Sequence, residues 1–115
     1  MVALFFTDTK SGKNRAVPIS SELLGNLPKK DRRLFKSCYA AFKEAVLRCD
    51  LTLPAGQLTH VLRHTFASHF MMDGGNIIVL QRILGHANLT MTMRYSHFSP
   101  DHLEDAIKYN PLNKL

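Results

Sequence analysis

A chain of 115 residues with 15 Lys plus Arg against 9 Asp plus Glu has a formal net charge of +6, which gives a surface that attracts polyanions. That length admits one small domain with a modest core, and 45% hydrophobic with 21% charged residues is ordinary globular composition. The apolar stretches are too short to span a bilayer and no segment has a signal-peptide layout, so a membrane protein or an exported one is not expected.

In chain order, Val2-Ala-Leu-Phe-Phe-Thr7 reads as a strand, because the apolar start lacks the basic segment that opens a signal peptide. Asp8 to Asn14 is polar, with Gly12 as the turn residue and Lys10 and Lys13 at the tip. Arg15-Ala-Val-Pro-Ile19 reads as the returning strand, with Pro18 marking an edge or strand end. A β-hairpin over about 2–19 is therefore expected. Ser20 or Ser21 can cap a short helix over Glu22–Leu24. Leu27-Pro28-Lys-Lys-Asp31 is a loop.

From about 31 to 49, Leu34, Phe35, Cys38, Tyr39, Phe42, Ala45 and Val46 recur at helical spacing. The opposite face of that helix carries Arg32, Lys36, Lys43 and Glu44, read as solvated charge. Cys38 and Cys49 stand eleven positions apart, roughly 16 Å along a helix axis. A disulfide needs Cα atoms within about 7 Å, so both are read as free thiols in a reducing cytoplasm. Leu53-Pro54-Ala-Gly56 breaks the chain.

Further helices are expected over about 58–73, ended by Gly74-Gly75, and over about 76–84, capped by Asn76 and stopped by Gly85. A short helix follows over about 89–95. A last one spans about 100–109, with Ser99 as its cap and Pro100 at its first position. Asp101, Glu104 and Asp105 suit the positive end of that helix's dipole. The fold class is mainly α with a small N-terminal β-hairpin, an α+β arrangement in one domain over 1–115. Phe66, Phe70, Met71, Ile77, Leu80 and Ile83 are its expected core.

Chemistry concentrates at three points. His60 and Arg63 are three apart on one helix and share a face. His86 follows the helix-ending Gly85, and Tyr95 comes nine residues later. Two histidines, an arginine and a tyrosine suit a phosphate better than an acyl group. A guanidinium binds phosphate oxygens through a rigid fork of donors, and imidazole donates hydrogen bonds or moves protons near neutral pH. His60 and His64 also stand at the spacing of a zinc-binding helix, but Val61 occupies the place of that motif's Glu. No Cys or carboxylate completes a ligand set, so no metal is expected.

These residues resemble the tyrosine recombinase (phage integrase) family. His60 and Arg63 within His-Val-Leu-Arg-His-Thr-Phe-Ala match its His-x-x-Arg pair. Leu84-Gly85-His86 matches its second element, and Tyr95 within Thr92-Met-Arg-Tyr matches its nucleophile. The intervals of 23 residues from Arg63 to His86 and 9 from His86 to Tyr95 fit the family's pattern. Thr9-Lys10-Ser-Gly-Lys-Asn-Arg-Ala-Val-Pro18 resembles its hairpin and places Lys10 as the catalytic lysine, with Lys13 as a nearby competitor.

The resemblance implies the DNA breaking-rejoining enzyme fold and site-specific recombination, integration or excision, from a phage or other mobile element. Tyr95 would attack a scissile phosphodiester and form a 3′-phosphotyrosyl link. Lys10 would protonate the leaving 5′-hydroxyl, Arg63 and His86 would hold the non-bridging oxygens, and His60 would assist proton transfer or orient the phosphate. No cofactor is implied. The partners implied are double-stranded DNA and further copies of the protein, four on two duplexes, in the cytoplasm.

This role requires a Tyr95 phenol that is not packed among apolar side chains. The family's first catalytic arginine lies upstream of the hairpin, so the chain is read as a fragment, truncated on its N-terminal side and lacking that arginine, whose activity on its own is left open. Two other readings stand beside the first: a DNA-binding or regulatory fragment without catalysis, and a relaxing enzyme of type IB topoisomerase kind, which the Leu-Gly-His element disfavours.

Other residues carry less. Tyr39 belongs to the core stripe and Tyr109 to the last helix, while His64 and His69 are structural or surface residues. Arg94 and the run Lys29, Lys30, Arg32 and Arg33 either touch DNA phosphates or are solvated. Leu103, Ala106, Ile107 and Leu112 dock either on their own core or on a neighbouring protomer.

Overall fold

Residues 2–19 form a two-stranded antiparallel sheet in the computed structural model, which describes residues 1–31 and 33–114. Two compact units divide the chain, Met1–Thr65 and Phe66–Leu115.

In the first unit, strand β1 (Val2–Phe6) pairs with β2 (Arg15–Ile19), Leu4 opposite Val17 and Phe6 opposite Arg15. The Arg15 guanidinium lies 4.8 Å from the centre of the Phe6 ring, a cation–π contact across the ladder. A two-stranded sheet is all edge, which is why Pro18 is tolerated inside β2 opposite Ala3. Helix α1 (Ser21–Asn26) is capped by Ser20, whose hydroxyl accepts the Leu23 N–H at 3.1 Å.

Helix α2 covers Tyr39–Arg48, and the expected start near 31 is corrected by about two turns. Lys29, Lys30, Arg33 and Lys36 would crowd the positive end of the longer helix. The stripe residues meant to hold it down are also uncovered: Phe35 and Tyr39 are exposed. A helix without an apolar partner gains little from propensity alone. Tyr39 is therefore not a core residue. Arg32, counted above with the polar face and the basic run, lies outside the described residues. Cys38 and Cys49 are both exposed free thiols.

Helix α3 (His60–Met72) contains the boundary between the units. It ends in a Schellman motif: Gly74 N–H donates to Met71 C=O at 3.0 Å and Gly75 N–H to Phe70 C=O at 2.9 Å, with Gly74 at φ +83°. A Cβ on Gly75 would lie 2.2 Å from the Phe70 ring and 2.6 Å from its carbonyl oxygen. Gly75→Ala is thus expected to destabilise the second unit by about 1–3 kcal/mol, seen as a lower melting temperature with unchanged helix content in the cold.

Helix α4 (Ile77–Leu84) starts at Asn76, whose Oδ1 accepts the N–H groups of Ile78 at 2.8 Å and Val79 at 3.3 Å. The core of this unit is Ala67, Met71, Leu80, Leu84 and Tyr95, with Phe70, Ile77 and Phe98 packed against it. Ala67 and Met71 on α3, and Leu80 and Leu84 on α4, are each four apart and so present one side of their helix. Two expected core positions are corrected. Phe66 is exposed, and Ile83 is half-buried outside the cluster, because each stands one position off the packed stripe. Leu80 is fully buried. Leu80→Ala is expected to cost about 2–5 kcal/mol, measured as a fall in urea midpoint.

Helix α5 is a single turn (Thr90–Met93), and a 3-10 turn follows at Ser96–Phe98. The expected helix over 100–109 shrinks to α6 (Asp105–Lys108), followed by a 3-10 turn at Pro111–Lys114. Asp101 accepts the Leu103 N–H at 3.2 Å, a local bond that competes with helix initiation. Leu103, Ile107 and Leu112 remain exposed, so no packing selects the longer helix. No helix among the described residues is long and apolar enough to cross a membrane.

Candidate active site

Lys10 sits at the hairpin tip. Gly12 N–H donates to Thr9 C=O at 2.9 Å, closing a β-turn with Lys10 and Ser11 at its centre, and Gly12 takes φ +67°. Thr9 Oγ1 donates to Lys13 C=O at 2.7 Å. Both lysines are exposed. His60 and Arg63 lie on the first turn of α3, three apart and so on one face. His60 is exposed and Arg63 half-buried.

The second unit positions His86 through the end of α4. Gly85 takes φ +70° and its N–H donates to Arg82 C=O at 3.2 Å, while His86 N–H donates to Gln81 C=O at 3.1 Å. This is a second Schellman motif, and His86 occupies the residue after its glycine. Gln81 Nε2 also donates to the His86 carbonyl at 3.4 Å. Leu-Gly-His is thus a mechanical unit: Leu84 anchors in the core, glycine turns the chain, and histidine is held at backbone level.

The imidazole is fixed as well. His86 Nδ1 lies 2.8 Å from Thr92 Oγ1. Thr92 is completely buried and accepts the Tyr95 N–H on its carbonyl at 3.0 Å. One residue therefore joins the ring of His86 to the backbone of Tyr95. Sequence reasoning passed over Thr92 and Gln81. The available signal was position: Thr92 stands three residues before Tyr95 on the same short turn.

Tyr95 departs from expectation. It is only 4% exposed and belongs to the apolar core with Ala67, Met71, Leu80 and Leu84. The cause is local: α5 is one turn long, and Tyr95 N–H bonded to Thr92 C=O continues that turn and carries the ring inward. Tyr39 and Tyr109 are both exposed. Arg94, beside Tyr95, is exposed too.

The family model described as the phage integrase family matches residues 26–102. The chain belongs to the phage integrase family. It is 67% identical over 108 residues to the integrase of Haemophilus phage HP1 (strain HP1c1), covering 94% of this chain and 32% of that protein. It is 46% identical over 55 residues to the tyrosine recombinase XerD of Rickettsia prowazekii (strain Madrid E), covering 48% of this chain and 18% of that one. The solved catalytic domain of bacteriophage HP1 integrase superposes with a TM-score of 0.89 at 65% identity, covering 96% of this chain and 66% of that one. The fold, helix-rich with a small hairpin, is the one found in that domain. The chain spans about a third of the length of the curated phage relative it matches.

Proposed function

We propose that the chain carries strand-breaking chemistry for site-specific DNA recombination, with Tyr95 as nucleophile. Tyr95 Oη attacks the phosphorus of a scissile phosphodiester, the bond to the 5′-oxygen breaks, and a 3′-phosphotyrosyl ester forms. Lys10 delivers a proton to the departing 5′-oxygen. Arg63 and His86 bind the non-bridging oxygens as charge builds on them, and His60 takes up the proton that the attacking phenol gives away. A 5′-hydroxyl of a second strand then displaces the tyrosine and restores a phosphodiester. The ester keeps the bond's energy, so the scheme draws on no ATP and no cofactor.

The observation that carries this reading is the link from His86 through Thr92 to Tyr95 inside one folded unit, in a chain with close phage integrase relatives. The net charge of +6 supports double-stranded DNA as the partner. In the same reading four copies act on two duplexes, in the host cytoplasm.

Burial of Tyr95 limits the proposal to a form in which the phenol leaves the core before it reacts. The same burial favours a second reading, a module that binds DNA without cutting it. A duplex nicked next to the cleavage point separates the two, because loss of the short fragment that bears the released 5′-hydroxyl traps any covalent product. An adduct on a denaturing gel supports cleavage. A shifted duplex with no adduct supports the binding module, and a chain that gives neither adduct nor shift counts against both readings.

A further inference from the structure

We infer that Thr92 is a positioning residue for the cleavage proposed above, on which this inference rests: its hydroxyl donates to His86 Nδ1 and so keeps the ring proton on Nε2. Among the described residues Thr92 is the polar side chain that stands fully inside the core. A hydroxyl there is unfavourable unless it is hydrogen-bonded, and valine would fill the same space without that penalty. The partner it has is the imidazole, at 2.8 Å.

A neutral imidazole carries one N–H and one acceptor nitrogen. Donation from Thr92 Oγ1 makes Nδ1 the acceptor and Nε2 the donor. Nε2–H is then the group that can hydrogen-bond a phosphate oxygen. When the ring gains a proton, Nδ1–H donates back to Oγ1 after rotation of the hydroxyl, so the contact survives both charge states. The backbone removes the remaining freedom. His86 is tied to Gln81 at its N–H, and Thr92 is tied to Leu89 C=O at 2.9 Å and to Tyr95 N–H at 3.0 Å. The ring's orientation and the start of the tyrosine segment are thus set by one side chain and one peptide. A second consequence is that movement of Tyr95 out of the core pulls on the residue that aims His86.

Nitrogen-15 chemical shifts of the histidine rings in the whole chain test the assignment. In the unsubstituted chain at high pH, His86 is expected as the Nε2–H tautomer; an Nδ1–H tautomer overturns the inference without any variant. Thr92→Val should give a mixture of tautomers, and Thr92→Ser should restore the single form. On the nicked duplex, Thr92→Val is expected to slow adduct formation about 10- to 100-fold and to change its pH profile, again with rescue by serine.

A Thr92→Val chain that keeps one tautomer, or one that mixes tautomers at an unchanged adduct rate, overturns the inference and leaves the cleavage reading intact. Absence of any adduct from the unsubstituted chain counts against the cleavage reading. The tautomer shift in Thr92→Val then decides the Thr92–His86 assignment by itself. If valine at 92 fails to fold, the unsubstituted and serine chains still decide it.

Discussion

Tyr95→Phe is expected to abolish the covalent adduct on a nicked duplex, a loss on the order of 10⁶-fold as for other deleted nucleophiles, while leaving the gel shift in place. The change removes one oxygen and keeps the ring that packs against Ala67, Met71, Leu80 and Leu84. The apolar contacts persist, so the stability change should be near 1 kcal/mol, the size of one lost hydrogen bond. A large drop in melting temperature would mean that the hydroxyl matters to the fold rather than to chemistry. Tyr39 and Tyr109 supply the controls. They are 60% and 64% exposed, so on accessibility alone either is a better nucleophile than Tyr95. Tyr39→Phe and Tyr109→Phe are expected to leave the adduct unchanged. An adduct that survives in Tyr95→Phe and disappears in either control would refute the assignment.

Arg63→Ala is expected to slow adduct formation by about 10²–10³-fold, the usual loss when one donor to a developing oxyanion is removed. DNA affinity should fall far less, since many lysines and arginines share the phosphate contacts of a basic chain. Arg63 is half-buried and engaged with its surroundings, so thermal melting of each variant must accompany the kinetics. Arg63→Lys keeps the charge but loses the planar fork, and an intermediate rate is expected. Equal losses in cleavage and in affinity would show that Arg63 is only a DNA contact.

The hairpin and the two central helices were legible because their signals are local. An apolar run, the polar segment with Gly12 and the return at Arg15–Ile19 mark the hairpin, and Asn76, Gly74 and Gly85 punctuate α3 and α4 to within a residue or two. The early part of α2 and the last helix were over-read for a common reason. Apolar periodicity at Leu34–Phe35 and at Leu103–Ile107 signals a helix only where a surface covers the stripe, and here Phe35, Leu103 and Ile107 are exposed. The site residues were legible as types and intervals, because Leu-Gly-His encodes a helix stop with a side chain held just beyond it. Thr92 was not, since a threonine hydroxyl becomes informative only when its burial and its partner are known. Burial of Tyr95 was equally out of reach: the same nine-residue interval from His86 accommodates a ring turned outward or inward.

A phenol stored in the core gives the proposed reaction a thermal fingerprint. Lifting a ring of that size into water costs about 1.5–3 kcal/mol, which leaves on the order of one molecule in ten to one in a hundred in the reactive form. The observed rate is scaled down by that fraction. Hydrating the ring and the cavity it vacates raises the heat capacity. An Eyring plot of adduct formation should therefore bend, whereas a chain with a permanently outward ring would give a straighter line.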